Sequence, residues 1–141
     1  MITLTDRWQR MYPEGAVGII ALRDLENPAS HPALEAAGRE LALELKQRYR
    51  GMDRPQLRQQ PVFAAYDAFY RNFRKTYHVQ LQLESVIHHD KPIQAPSALV
   101  GAMFLAELET GLLTAVHDLQ RISLPLRADV AQGGETYLRM D

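Results

Sequence analysis

SALVGAMFLAELETGLLTAVHDL, running from Ser97 to Leu119, opens with sixteen residues that hold only two charges, Glu107 and Glu109. Its apolar groups at Leu99, Val100, Met103, Phe104, Leu108 and Leu112 recur at three- and four-residue steps, which is helical spacing. The stripe is too wide for a half-exposed helix, so the pattern predicts a helix over Ala98–Leu113 buried on most sides. Each large side chain buried there contributes about 1.5–3 kcal/mol. After it comes Thr114-Ala115-Val116-His117-Asp118, short and partly β-branched.

Upstream, Lys91 to Pro96 carries two prolines and reads as a loop. Val79, Leu83, Val86 and Ile87 predict a short amphipathic helix that ends at His88-His89-Asp90. Pro61 opens another, with Val62, Ala65 and Phe69, and Tyr66 or Phe73, on its apolar side; Asn72 to Thr76 breaks the pattern. Met52 to Gln60 reads as a polar linker. Before it, a helix starting near Ser30 carries Leu34, Ala37, Leu41, Leu45 and Tyr49 as its stripe and stops at Gly51. Ala16 to Leu22, AVGIIAL, is an apolar run without alternation, as suits a strand covered on both faces. Trp8 lies in a short helix capped by Thr5 or Asp6.

Downstream of Asp118, Leu124, Leu126, Ala128 and Val130 alternate with Pro125, Arg127 and Asp129. Gly133-Gly134 supplies a turn, and Thr136–Met140 reads as the partner strand of a hairpin. That last strand would present an open edge able to recruit a second copy of the chain.

The bulk properties narrow the class. The 141 residues suit one domain, 1–141, and are enough for a core without staples. With no cysteine there is neither a disulfide framework nor a thiolate metal site, as in a cytoplasmic protein. The start, MITLTDRWQRMYPEG, lacks the pattern of a signal peptide, and no run of 18 apolar residues could span a membrane. A net charge of -1 does not describe a general polyanion binder. The charge is uneven, however. Lys46 to Tyr77 holds eight Lys/Arg against Asp53 and Asp67, a local excess of +6 that points to an anionic partner.

LLTAVHDLQRISLPLRADVAQGGETYLRMD, read with the apolar helix before it, resembles the tRNA-binding and editing module of the phenylalanyl-tRNA synthetase β-subunit. This B-three/B-four domain also occurs as stand-alone proteins. The shared features are the helix Ala98–Leu113, His117-Asp118-Leu119, Arg127, Gly134-Glu135 and the closing Asp141. Tyr12-Pro13 followed by Gly18-Ile19-Ile20 is similar to the family's first strand. Tyr77 to Ile93, with Leu83-Glu84-Ser85, is similar to a helix and loop of the stand-alone members. The resemblance implies an α+β fold, with helices packed on an antiparallel-rich β-sheet or sandwich. It is incomplete at its C-terminal end, because the family runs on for several strands past the position of Asp141. It also implies tRNA or aminoacyl-tRNA as partner, and a pocket beside the buried helix. Editing members carry an asparagine in that helix and a histidine three residues before the motif's aspartate. Here those positions fall on Phe104 and Ala115, which cannot orient a water.

The residues that follow from these readings are few. The pocket would be lined by Phe104, Ala115, His117 and Asp118. Its ligand would be an amino acid or aminoacyl group, or a related metabolite bound with no RNA at all. His117 and Glu84 are the candidate acid–base groups of an alternative deacylase reading. The basic aromatic run YDAFYRNFRKTY offers Tyr70 and Tyr77 to unpaired bases and Arg71, Arg74 and Lys75 to phosphates. Its plainer account is a helix that buries Phe69 and Phe73 and turns a basic face to water. His88-His89-Asp90 suits a helix end better than a metal site, since neighbours on a helix point about 100° apart. Asp118 suits a turn, accepting backbone N–H groups. No cofactor fingerprint is present, so neither a cofactor nor a metal is expected.

Overall fold

The computed structural model describes residues 2–136. The chain divides into two compact units, Leu25–Val116 and Met1–Asp24 with His117–Asp141.

The first unit is entirely helical. Helix α2 (Pro32–Arg48) starts at His31, whose Nδ1 accepts from the Ala33 N–H at 3.3 Å, with Pro32 in the first turn. Helix α3 (Arg54–Arg58) occupies the stretch that reads as a linker. Asp53 and Gln56 form a reciprocal cap there, each accepting the other's backbone N–H, at 2.9 and 2.8 Å. Leu57, fully buried, gives this single turn its anchor. Helix α4 (Pro61–Arg71) begins at its proline as expected. Helix α5 (His78–His89) stops at Asp90, which takes the left-handed conformation at φ 53°.

Helix α6 (Ala98–Thr110) is one turn shorter than expected and is not buried on most sides: only Gly101, Glu107 and Leu108 are buried, while Leu99, Val100, Met103 and Phe104 are half-buried. Gly111 ends it at φ +73°. A Cβ there would also sit 2.8 Å from Val62, so the position is closed to other residues on two counts. Leu112 therefore falls outside the helix, 52% exposed. Gly101, earlier in α6, lets the backbone approach α2: a Cβ would meet Leu34 at 2.7 Å.

Helix α2 packs against α5 and α6, α5 against α6, and α3 against α4. Their shared core holds Leu41 and Leu45 of α2, Leu57 of α3, Phe63 of α4, Val79, Leu83 and Val86 of α5, Leu108 of α6, and Tyr77 just ahead of α5. No helix among the described residues is long and apolar enough to cross a membrane.

In the second unit, strands β1 (Ile2–Leu4) and β2 (Leu126–Ala128) pair in parallel, Thr3 opposite Arg127. Helix α1 (Asp6–Met11) follows β1 directly. Thr5 caps it by accepting the Trp8 N–H at 3.1 Å, and its hydroxyl donates to Asp129 Oδ1 at 2.8 Å. Arg7 donates to the Val130 carbonyl at 3.1 Å.

The α+β expectation fails. Among the described residues helix makes up 47% and strand 4%, and a two-stranded parallel sheet stands where an antiparallel-rich sheet or sandwich is expected. Two segments account for this. Ala16–Leu22 forms no strand and lies exposed, Ile20 at 88%. An apolar run predicts burial only if another layer covers it, and here none of the described residues does. The alternating segment at 124–130 does form a strand, β2, but pairs with β1 at the far end of the chain. The expected hairpin partner over Thr136–Met140 lies outside the described residues beyond Thr136.

Leu83 is fully buried in the helical unit, so Leu83→Ala is expected to cost about 2–5 kcal/mol of unfolding free energy. Urea denaturation followed by helical circular dichroism measures the change.

Candidate nucleic-acid interface

The rotation of α4 about its own axis decides which aromatics reach the surface. Phe63, Asp67 and Tyr70 share one side at helical spacing. Phe63 and Asp67 are buried and Tyr70 is half-buried. Asp67, 5% exposed, is held from two directions. Arg58 of α3 donates to Oδ1 at 2.7 Å, and Arg71, one turn on, donates to Oδ2 through Nε at 3.0 Å and also through a terminal nitrogen. The Arg71 hydrogen bond keeps the Asp67 carboxyl below the usual range. Burial pushes the other way, and Arg58 adds to the lowering.

Tyr77 is the centre of the aromatic cluster. It is fully buried, stacks on Tyr66 with ring centroids 4.1 Å apart and planes 9° apart, and donates its hydroxyl to the Gly111 carbonyl at 2.9 Å. Burial drives its phenol far above the ordinary range, and that of Tyr70 upward as well. Neither ring is arranged as an open stacking platform, so the sequence expectation for Tyr70 and Tyr77 is corrected: both pack with the core.

The exposed rings are the ones expected inside. Phe69 and Phe73 are 50% and 61% exposed, with centroids 5.3 Å apart and planes tilted by 56°. Arg71, Arg74 and Lys75 are exposed beside them in the chain. Arg71 is tied to Asp67. Arg74 and Lys75 make no ion pair among the described residues, and Arg74 sits at φ +54°, where the chain turns away from α4. The helical period of α4 is plain in the sequence. Its phase is not, because Asp67 reads as a surface residue until its two arginines are located.

The residues expected to line a pocket fall in different units. Phe104 is half-buried on α6 and, with Gln82, Val86 and Leu108, lines a cleft of about 150 Å³. Ala115 is exposed in the same unit. His117 and Asp118 belong to the other unit, both exposed. Asp118 accepts the Gln120 N–H at 2.8 Å, a turn role. Glu84 accepts from Gln80 at 2.7 Å and pairs with Arg54 at 3.3 Å, so its carboxylate is engaged. His88 and His89 are exposed at the end of α5, and Asp90 pairs with Lys46 at 2.6 Å. Among the described residues no three His, Asp or Glu groups converge as a metal site would require.

Two features involve residues not singled out from the sequence, although a pocket beside α6 is expected. A larger cleft, about 640 Å³, runs beside α6 and is lined by His31, Leu34, Gly38, Ile93, Ala98 and Leu105, among others. Glu107, 1% exposed, accepts the Thr114 N–H and hydroxyl at 2.8 and 3.0 Å, while Tyr66 Oη accepts the Leu113 N–H at 3.0 Å. Glu107 sits among apolar residues in the sequence, and a carboxylate in such a run is the one signal that a buried polar contact exists.

The Asp67 pairing makes stability pH-dependent. The folded-state pKa lies below the unfolded value, so the stabilisation is present above about pH 4, near the unfolded carboxylate value, and is lost as pH falls through the lower folded value. Asp67→Asn is expected to lower stability at pH 7 by about 1–3 kcal/mol and to flatten the decline between about pH 5 and 2. Thermal melts across that range test both. No protein-family model, curated protein or solved structure matches the chain.

Proposed function

We propose that this chain binds RNA through unpaired bases, at the C-terminal end of α4. One observation carries the reading: two phenyl rings stand half or more exposed beside cations that no carboxylate among the described residues neutralises. Exposed aromatic faces accept any base, and neighbouring cations hold the phosphates. Arg74 and Lys75 are the free charges, whereas Arg71 would share its guanidinium between Asp67 and a phosphate. The excess of positive charge over Lys46–Tyr77 favours the same partner, although Lys46 and Arg54 of that stretch are paired with Asp90 and Glu84. Its unpaired loops and 3′ end make tRNA the RNA to try first.

Bulk tRNA and an unstructured oligoribonucleotide should both bind at low salt and weaken as salt rises. Phe69→Ala and Phe73→Ala should each lower affinity by about 1–3 kcal/mol. Arg74→Ala with Lys75→Ala should flatten the salt dependence, by a slope of about 0.7 for each phosphate that is no longer neutralised. Fluorescence anisotropy at several salt concentrations measures all three. No binding at low salt would end the reading.

A second reading rests on the cleft of about 640 Å³ beside α6. Its size falls within the range of small-ligand sites, and it has an apolar floor with His31, Glu35 and Arg39 at its edges. A free amino acid or related metabolite would then be the ligand. Such a ligand should raise the melting temperature in a concentration-dependent way, by mass action on the native state. Leu34→Trp, which fills the cleft, should abolish the shift.

A further inference from the structure

Ten consecutive residues of the smaller unit carry an interaction surface that neither the RNA site nor the cleft uses. In EGAVGIIALR, from Glu14 to Arg23, every residue is exposed. Val17, Ile19, Ile20 and Leu22 are 39%, 44%, 88% and 51% exposed. From Ala16 onward the run makes no backbone hydrogen bond among the described residues; the last is Gly15 N–H to the Tyr12 carbonyl at 2.9 Å. Open backbone groups, β-favouring side chains and no proline are what an unpaired strand offers to a partner strand. Asp24, at φ +53°, ends the run.

The charges at its two ends choose the partner. Glu14 opens the run, Arg23 closes it, and nothing between them is charged. Neither makes an ion pair among the described residues. We infer that Glu14–Arg23 pairs antiparallel with the same segment of a second copy, making the chain a homodimer. When Glu14 faces Arg23 of the other copy, Val17 faces Ile20, Gly18 faces Ile19 and Ala16 faces Ala21. The two-fold symmetry then makes every contact twice, including both ion pairs. A β-branched pair sits near the centre, where cross-strand contacts matter most. A parallel pairing would set Glu14 beside Glu14 and Arg23 beside Arg23, and a shift of one residue would separate the charges. The interface is small, below the about 1,200 Å² of standard complexes, so association belongs in the micromolar range.

Sedimentation velocity over about 1–100 micromolar protein tests this, since a micromolar dimer dissociates within that range. The wild-type chain should pass from monomer to dimer. Glu14→Arg and Arg23→Glu each place like charges opposite one another, and each should weaken the dimer about tenfold or more. An equimolar mixture of these two variants should dimerise again, because the heterodimer restores both Glu–Arg pairs. Ile20→Lys should stay monomeric throughout. All three positions are exposed, so matched circular dichroism and melting curves should show the fold intact. A wild-type chain monomeric at every concentration overturns the inference. So do single charge variants that dimerise like the wild type, or a mixture that remains monomeric. A monomer whose Val17–Leu22 amides resist hydrogen exchange would overturn it too, and would mean that the chain's own residues cover the segment.

Discussion

The buried carboxylate of Asp67 ties α3 to α4 within the helical unit. A carboxylate taken from water without partners costs several kcal/mol, and α4 cannot rotate without carrying Asp67 away from Arg58 of α3, whereas Arg71, on α4 itself, turns with it. Arg58 and Arg71 reach it from two helices, and this fastens α3 to α4 while fixing which face of α4 meets the core. With Asp67 inward, Phe63 and Tyr70 turn in on the same side and Phe69 and Phe73 turn out. The face of α4 left to the surface is thus the one opposite Phe63 and Asp67.

A second set of polar contacts governs how α6 ends. Tyr77 bonds the Gly111 carbonyl, Tyr66 receives the Leu113 N–H, and Glu107 receives two donors from Thr114. Backbone groups at Gly111, Leu113 and Thr114 are therefore matched by side chains from the aromatic cluster and from α6. Backbone groups near a core must find partners, and after the helix ends only side chains can provide them. Gly111 permits the sharp exit because it alone takes the left-handed conformation beside Val62 without strain. The aromatic stack and the helix end are one structure, joined at the Tyr77 hydroxyl.

The β-strand expectations failed for a different reason from the aromatic ones. AVGIIAL and the alternating residues near Leu126 both satisfy the local rules for a strand. A strand, however, is completed by a partner that local rules do not name. Leu126–Ala128 found its partner at Ile2–Leu4, more than a hundred residues away in the chain, whereas Ala16–Leu22 meets none among the described residues. With Phe69 the period was right and the phase wrong, and Phe73 lies past the end of α4. Hydrophobicity alone placed Phe69 inside, whereas the face of α4 that meets the core carries Phe63 and the paired Asp67.

Helices were legible in the chain because their hydrogen bonds and stops are local. Pro32, Pro61, Gly51 and the apolar steps of Val79, Leu83 and Val86 and of Leu99, Met103 and Leu108 mark four of the helices, whereas the stop of α6 at Gly111 and the Asp53–Gln56 cap of α3 went unread. The excess of positive charge over Lys46–Tyr77 was equally plain. Tertiary structure alone decided which face of α4 is exposed, which strand pairs with which, and that Tyr70 and Tyr77 belong to the interior. Each of those outcomes depends on groups that meet across long stretches of chain, and their energies exist only once the chain has brought them together.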